Sequence, residues 1–188
     1  MKFFVALTLV PVLASAEPQK RATALDRMLA AARLTWKVPA DFTSITPVKN
    51  RAMEYEIAIK ADKVKLEARY AIRFNTAANA SPNARNVSGT ALFQGLITTT
   101  ILNISGGQDA PVRWFDPKAA AAEFGASEGA TATFVPAAPG WIGYKKCMLV
   151  AIRKGGAEVY ALFLFDDLAA VTHEIDRAFH ALRFAVDS

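Results

Sequence analysis

The segment from Trp141 to Asp166 constrains the fold most, because it predicts a β-hairpin with apolar residues on both faces. The Gly155-Gly156 pair suits a turn that needs positive φ. Strands that are apolar on both faces must be covered on both faces, so we expect this hairpin in the middle of a sheet, between helical layers. One face is predicted to carry Met148, Val150, Ile152, Val159, Phe163 and Phe165, and the other Cys147, Leu149, Tyr160, Leu162 and Leu164.

A second hairpin is predicted from Arg51 to Phe74, around a turn at Asp62-Lys63. Apolar and polar residues alternate along both strands, which indicates one buried face and one solvated face. The opposing pairs expected from this turn are Lys60 with Lys65, Ile59 with Leu66, Tyr55 with Tyr70, Met53 with Ile72, and Glu56 with Arg69.

The remaining segments predict helices and short strands. Thr23 and Asp26 form a capping pair near the start of the first helix, and Asp116-Pro117 is typical of a helix N-terminus. Because hairpins dominate, we predict an α+β fold with a mainly antiparallel sheet covered by helices on both faces. Helices are expected over 19–34, 88–104 (its second half could instead be a strand), 117–124 before Gly125, and 168–182; short strands over 36–38 and 131–135; and a loop over 75–86.

The first sixteen residues have the pattern of a secretory signal peptide. Lys2 provides a positive start, Phe3 to Ala14 form an apolar run, and Ala14-Ser15-Ala16 supplies the small residues that a signal peptidase requires. The run is shorter than the roughly 20 residues needed to cross a bilayer, so we expect cleavage rather than a permanent membrane anchor. Residues 1–16 are thus the expected signal peptide and residues 17–188 a single globular domain.

Cysteine content indicates how such an exported domain is stabilised. Cys147 is the only cysteine, so an intrachain disulfide is excluded. Alternation places its side chain with Leu149 and opposite Leu164, which indicates a buried apolar position rather than a reactive thiol. An exported chain that is rich in alanine and has no disulfide suggests a bacterial protein, either periplasmic or secreted.

The charge pattern argues against a nucleic-acid partner. The net charge is +5, but the densest basic cluster, from Lys60 to Arg73, is interleaved with Asp62 and Glu67. Proteins that bind nucleic acids concentrate Lys and Arg on one face. The alternation indicates an ordinary solvated face.

Two short motifs resemble the PsbP-like superfamily. An early W-x-V-P-x-x-F segment contains Trp36, Val38, Pro39 and Phe42, and the chain closes on F-H-A-L-R-F from Phe179 to Phe184. This superfamily includes the photosystem II accessory protein and small bacterial exported proteins. The resemblance implies a three-layer α+β sandwich and a binding or accessory role rather than catalysis. No functional residue set transfers, because no functional motif matches position by position.

A serine hydrolase is the first alternative. Gly125-Ala126-Ser127-Glu128-Gly129 spells G-x-S-x-G, and Asp166, Asp167, His173 and His180 follow in the Ser–Asp–His order of that class. The mechanism needs the serine on a turn from a strand into a helix. Here the string follows a predicted helix and leads towards a strand, so the context is inverted.

A metal-binding module on the last helix is the second alternative. His173, Asp176 and His180 are spaced three and four apart, which places them on one face of a helix. Three such ligands could hold a divalent metal with an open position. A solvated polar face explains the same spacing without a metal.

Our prediction is an exported, non-catalytic binding or accessory protein whose partner is an unidentified protein or small molecule. Trp114, Phe115 and Trp141 lie near predicted loops and could line a pocket or simply pack in the core. Neither G-x-G-x-x-G nor G-x-x-x-x-G-K occurs, so no cofactor is predicted.

Overall fold

A computed structural model describes residues 23–75 and 89–185. The predicted signal peptide and nearly all of the predicted loop at 75–86 lie outside these residues. The elements of the described part are α1 (Ala24–Ala31), β1 (Leu34–Trp36), β2 (Phe42–Ile45), β3 (Ile57–Ala61), β4 (Leu66–Phe74), α2 (Gly89–Ser105), β5 (Arg113–Trp114), α3 (Pro117–Phe124), β6 (Glu128–Phe134), β7 (Lys146–Lys154), β8 (Ala157–Phe165), α4 (Thr172–Phe179) and β9 (Leu182–Phe184).

Seven of these strands form one antiparallel sheet in the order β2-β3-β4-β8-β7-β6-β5. The β7–β8 hairpin lies in its middle, and every residue of β8 is buried. Gly155 makes the turn with φ of 59°, and Cys147 pairs with Leu164. The prediction of a central hairpin with two apolar faces is confirmed.

Helices cover both faces of this sheet and create two cores. The first core contains residues of α3 and α4 and the face of the central hairpin with Val150 and Phe163. The second contains α2 and the opposite face, with Leu149 and Leu162. The predicted α+β fold, an antiparallel sheet between helical layers, is confirmed.

The register predicted for the Arg51–Phe74 hairpin is wrong by two residues. Ile57 pairs with Tyr70 and Lys60 with Glu67, because four residues separate the strands and β3 begins only at Ile57. A shift of two keeps each side chain on its predicted face. The expected pairs Ile59–Leu66, Tyr55–Tyr70, Met53–Ile72, Glu56–Arg69 and Lys60–Lys65 therefore do not form.

The second face of that hairpin is covered rather than solvated. Ala58, Arg69 and Ala71 are all buried, since α2 and the segment around Trp141 pack over them. Charged side chains at alternate positions do not by themselves exclude burial: the Arg69 guanidinium is buried with Glu67 as its ion-pair partner, 2.6 Å away, and the Gly140 carbonyl as a second acceptor.

Several element boundaries differ from the predictions. Residues 89–105 form one continuous helix, α2, so the second half of the predicted helix over 88–104 is not a strand. The predicted capping pair Thr23–Asp26 forms a capping box at the start of α1. The α4 helix is shorter than predicted, because Leu182 belongs to β9, which pairs with β1 in a separate two-stranded sheet. Strand β6 starts at Glu128 rather than at Thr131. Among the described residues, no helix has the length and hydropathy needed to span a membrane.

Candidate functional site

The α3 helix forms one wall of an apolar cleft. Asp116 caps its N-terminus by accepting a hydrogen bond from the Lys118 amide at 2.8 Å, and Pro117 occupies the first turn. Gly125 ends the helix with φ of 63°. These local signals fix both ends of α3, and Phe124 is thereby turned towards the sheet.

The α4 helix forms the opposite wall. Ile175 and Ala178 are buried against the sheet. The Tyr70 hydroxyl, from the central strand β4, donates a 2.7 Å hydrogen bond to the Ala178 carbonyl near the C-terminal end of α4. The same carbonyl, in the last turn of the helix, also accepts from the Ala181 amide at 3.1 Å, so the Tyr70 hydroxyl is a second donor to it.

Between these helices lies a cleft of about 440 Å³, with Met148 of β7 among the residues that line it. Its aromatic rings contact one another: the centroids of Phe124 and Phe179 are 5.2 Å apart, and those of Phe115 and Phe124 are 5.9 Å apart. The apolar lining consists of Phe115, Ala119, Phe124, Met148, Leu168, Ile175 and Phe179, and the polar rim consists of Thr172, Asp176, Glu123 and His180.

His180 joins the two walls at the rim. Its Nε2 lies 2.9 Å from Oε2 of Glu123 on α3, and its Nδ1 lies 2.9 Å from the Asp176 carbonyl oxygen. The ring stacks on Phe124 with centroids 6.0 Å apart. Partial burial opposes protonation, but these hydrogen bonds outweigh it and hold the pKa of His180 above its usual value.

The serine candidate is not arranged as a nucleophile elbow. Ser127 is exposed in the segment that leads from α3 into β6, and its amide donates to the Arg153 carbonyl at 2.8 Å. Within residues 23–75 and 89–185, no hydrogen bond joins its hydroxyl to a histidine. Asp166 accepts instead from the Lys65 ammonium and the Lys145 amide, and these bonds hold the pKa of Asp166 below its usual value.

Of the metal candidates, Asp176 and His180 both line the cleft, whereas His173 does not. His173 and Asp176 are exposed on α4, whereas His180 lies just beyond the end of the helix, with both ring nitrogens facing protein oxygens. No group of three or more potential ligand residues suited to a metal ion occurs among the residues that the structure describes.

Cys147 and the tryptophans lie outside the cleft. Cys147 is fully buried, and burial raises the pKa of its thiol far above the usual range. Trp141 is also buried, and the Arg69 guanidinium lies over its ring at 4.4 Å and over the Tyr55 ring at 5.0 Å. Trp114 packs edge-on against Phe93. Of the three aromatic residues singled out in the sequence, only Phe115 lines the cleft.

Sequence reasoning missed Phe124, Phe179 and Glu123 as parts of a common site. Each of the two phenylalanines is the last residue of its helix, and helix periodicity assigns both simply to the core. A usable signal was the presence of an aromatic residue at the end of both helices expected to cover the same hairpin. Their meeting depends on tertiary packing that no local pattern encodes.

The layers and strand order together define an α+β fold with an antiparallel sheet between helical layers. The solved structure of cyanobacterial PsbP (CyanoP) from Synechocystis sp. PCC 6803 is similar to this chain, with a TM-score of 0.50 and 10% sequence identity. The match covers 82% of this chain and 88% of that one. At this identity the likeness shows the fold alone. No protein-family model matches the sequence, and comparison with curated proteins finds no similar sequence.

Proposed function

We propose that this chain is an exported, non-catalytic binding protein whose α3–α4 cleft holds a small apolar molecule. The observation that carries the proposal is the cleft itself, about 440 Å³ in volume and lined mainly by aromatic and aliphatic side chains. Small-molecule sites are typically concave and mostly apolar, with volumes of roughly 300–1,000 Å³. A few polar groups lie at the rim, among them His180 and Glu123.

The lining favours a hydrophobic molecule over a charged one. Phe115, Phe124 and Phe179 all line the cleft, and neighbouring ring centroids lie 5.2 to 5.9 Å apart. Closely packed aromatic rings give a hydrophobic ligand a large apolar contact area. Glu123 and His180 already satisfy each other, so a charged ligand would have to displace one of them.

Titration with the neutral fluorophore N-phenyl-1-naphthylamine tests this site. We expect saturable fluorescence enhancement with the mature protein, and at least tenfold weaker affinity for Ala119→Trp, because Ala119 lines the cleft. Ala122→Trp is the matched control, since Ala122 is also exposed on α3 but does not line the cleft. Equal binding by all three proteins would contradict the proposal.

The absence of catalysis and the export are tested separately. A serine-directed fluorophosphonate should not label the protein, and labelling that is lost in Ser127→Ala would overturn the non-catalytic assignment. For export, the full chain expressed in a Gram-negative host should be recovered from the periplasm or the medium. Mass spectrometry should then show a mature N-terminus at Glu17, and recovery of the uncleaved chain from the cytoplasm would contradict export.

A further inference from the structure

A cavity of about 630 Å³ lies between the irregular segment 46–52, which joins β2 to β3, and the turn at residues 139–140. The Asn50 side chain connects these two segments. Its Nδ2 donates a 2.8 Å hydrogen bond to the Pro139 carbonyl, and its Oδ1 accepts one of 2.8 Å from the Ala52 amide. The walls of the cavity are therefore held together by bonds within the fold.

Arg69 of β4 lines this cavity, and its guanidinium is held in one orientation. The centre of the guanidinium lies 5.0 Å from the Tyr55 ring and 4.4 Å from the Trp141 ring. Its Nε donates to Oε1 of Glu67 at 2.6 Å, and its Nη1 donates to the Gly140 carbonyl at 2.8 Å. A guanidinium that is already ordered loses little conformational freedom when it binds a ligand.

These bonds leave donors of the guanidinium unused. An arginine side chain has five N–H donors, and Nη2 of Arg69 makes no hydrogen bond within the described residues. Two side-chain polar atoms of those residues are buried without a partner, Oε2 of Glu128 and Nε1 of Trp141. Nη2 of Arg69 is not one of them, and the Arg69 side chain is 9% exposed. A ligand in the cavity can therefore reach this donor.

The lining of the cavity has more positive than negative charge, since it carries the cations Lys49, Arg51 and Arg69 and the carboxylate of Glu67. Both oxygens of Glu67 are occupied, Oε1 by Arg69 and Oε2 by the Tyr144 hydroxyl at 3.0 Å. Lys49 and Arg51 are exposed, and neither forms an ion pair within the part of the chain that the structure describes. After Glu67 neutralises Arg69, two positive charges in the lining remain without a counter-charge.

Apolar side chains complete the lining, among them Ile45, Val48 and Ala52. An inorganic anion would interact with the cations alone. A carboxylate that carries a hydrocarbon chain would interact with the cations and also remove apolar surface from water. The combination of both kinds of side chain therefore favours an amphipathic acid.

We propose that this cavity binds a small aliphatic carboxylate, with Nη2 of Arg69 donating to a carboxylate oxygen and Ile45 and Val48 contacting the hydrocarbon chain. Lys49 and Arg51 add positive charge at the exposed side of the cavity. The volume is in the range typical of small-molecule sites. This site is separate from the α3–α4 cleft and does not depend on it.

Calorimetric titration of the mature protein with n-hexanoate at pH 7 tests the proposal. We expect saturable binding, at least tenfold weaker binding of the neutral 1-hexanol, and at least tenfold weaker binding of n-hexanoate to Arg69→Gln. Arg51→Gln should weaken binding about threefold, because an exposed charge contributes less than a buried one. Lys118→Gln is the matched control, since Lys118 is also exposed but does not line the cavity, and it should bind like the wild type.

A second pair of variants covers the case in which Arg69→Gln does not fold. Thr46→Trp narrows the cavity from its exposed side and should weaken binding at least tenfold. Ser44→Trp is also an exposed site, two residues away, but does not line the cavity and should leave binding unchanged.

Failure to bind n-hexanoate, equal binding of 1-hexanol, or full binding to Thr46→Trp would each overturn the proposal. Loss of binding in Ala119→Trp would also overturn it, since n-hexanoate would then occupy the α3–α4 cleft. Displacement by inorganic phosphate at equal concentration would overturn it as well, because the site would then not distinguish a carboxylate from other anions.

Discussion

At the scale of single residues, His180 makes the stability of the protein depend on pH. Both ring nitrogens face oxygen acceptors, so the doubly protonated ring satisfies both, whereas the neutral ring can donate to only one. The pKa of His180 is raised in the folded state. Its stabilising contribution is therefore complete below the unfolded-state pKa of about 6.5 and is lost as the pH rises through the folded-state pKa.

We predict that Glu123→Gln weakens this pH dependence, because Glu123 is one of two residues that raise the pKa of His180. The wild type should exceed the variant in free energy of unfolding at pH 5.5, and the difference should shrink at pH 8.5. Since the pair is largely exposed, the effect should stay below about 1 kcal/mol. Urea unfolding at both pH values measures it, with Glu174→Gln on α4 as the control. A difference that grows with pH would refute the assignment.

Cys147 provides a second prediction at this scale. Its side chain is completely buried, and burial raises its pKa, so the thiolate that reacts with disulfide reagents is scarcely formed. We expect no reaction of the native protein with Ellman's reagent at pH 8 over an hour, and one equivalent after unfolding in guanidinium. Rapid labelling of the native protein would show that the central hairpin opens.

At the scale of elements, alanine substitutions at Gly125 and Gly155 allow the cost of backbone strain to be compared with the cost of steric overlap. Both have positive φ, but a Cβ at Gly125 would lie 2.7 Å from the Phe184 carbonyl oxygen, whereas a Cβ at Gly155 would meet nothing within 4 Å. Gly155→Ala should cost about 1 kcal/mol through backbone strain alone. Gly125→Ala should cost at least about 1 kcal/mol more. Chemical denaturation measures the free energy of unfolding of both variants. Equal losses of stability would mean that Phe184 of β9 can move away from the new Cβ at little cost.

The same elements show what the sequence could and could not predict. The β7–β8 hairpin was predictable with its turn and both faces, because its apolar residues alternate and Gly155 marks the turn. The register of the β3–β4 pair was not predictable, because a four-residue turn and a two-residue turn both keep the same side chains on each face of the hairpin. The β1–β9 pairing was missed because three-residue strands leave no periodic pattern. The cleft depends on how Phe124 and Phe179 meet, which local sequence does not determine.

At the scale of the whole molecule, the β1–β9 sheet holds the two ends of the described chain together. Leu182 and Phe184 are buried, and the Ala185 amide donates to the Arg33 carbonyl at 2.8 Å. Lys154, in the central hairpin, donates to the Ala185 carbonyl. The last strand thus connects α1, the central sheet and the layer that forms the cleft.

We predict that deletion of residues 182–188 severely destabilises the protein. Loss of the buried Phe184 alone should cost about 3–5 kcal/mol, which is comparable with the total stability of many domains. Thermal unfolding followed by circular dichroism should show a much lower midpoint or no cooperative transition. Deletion of residues 186–188 keeps β9 and is the control, and equal midpoints for the two deletions would show that β9 is dispensable.

The pairing of early strands with late ones also governs when the protein can fold during its synthesis. Strand β4 pairs with β8, and β1 pairs with β9, so β4 lacks this partner until residue 165 has been synthesised, and β1 lacks its partner until residue 184 has been synthesised. Contacts between distant segments form slowly and leave unpaired strand edges exposed in the meantime. The unpaired edges of β1 and β4 should therefore remain accessible to chaperones in nascent chains until these later strands have emerged.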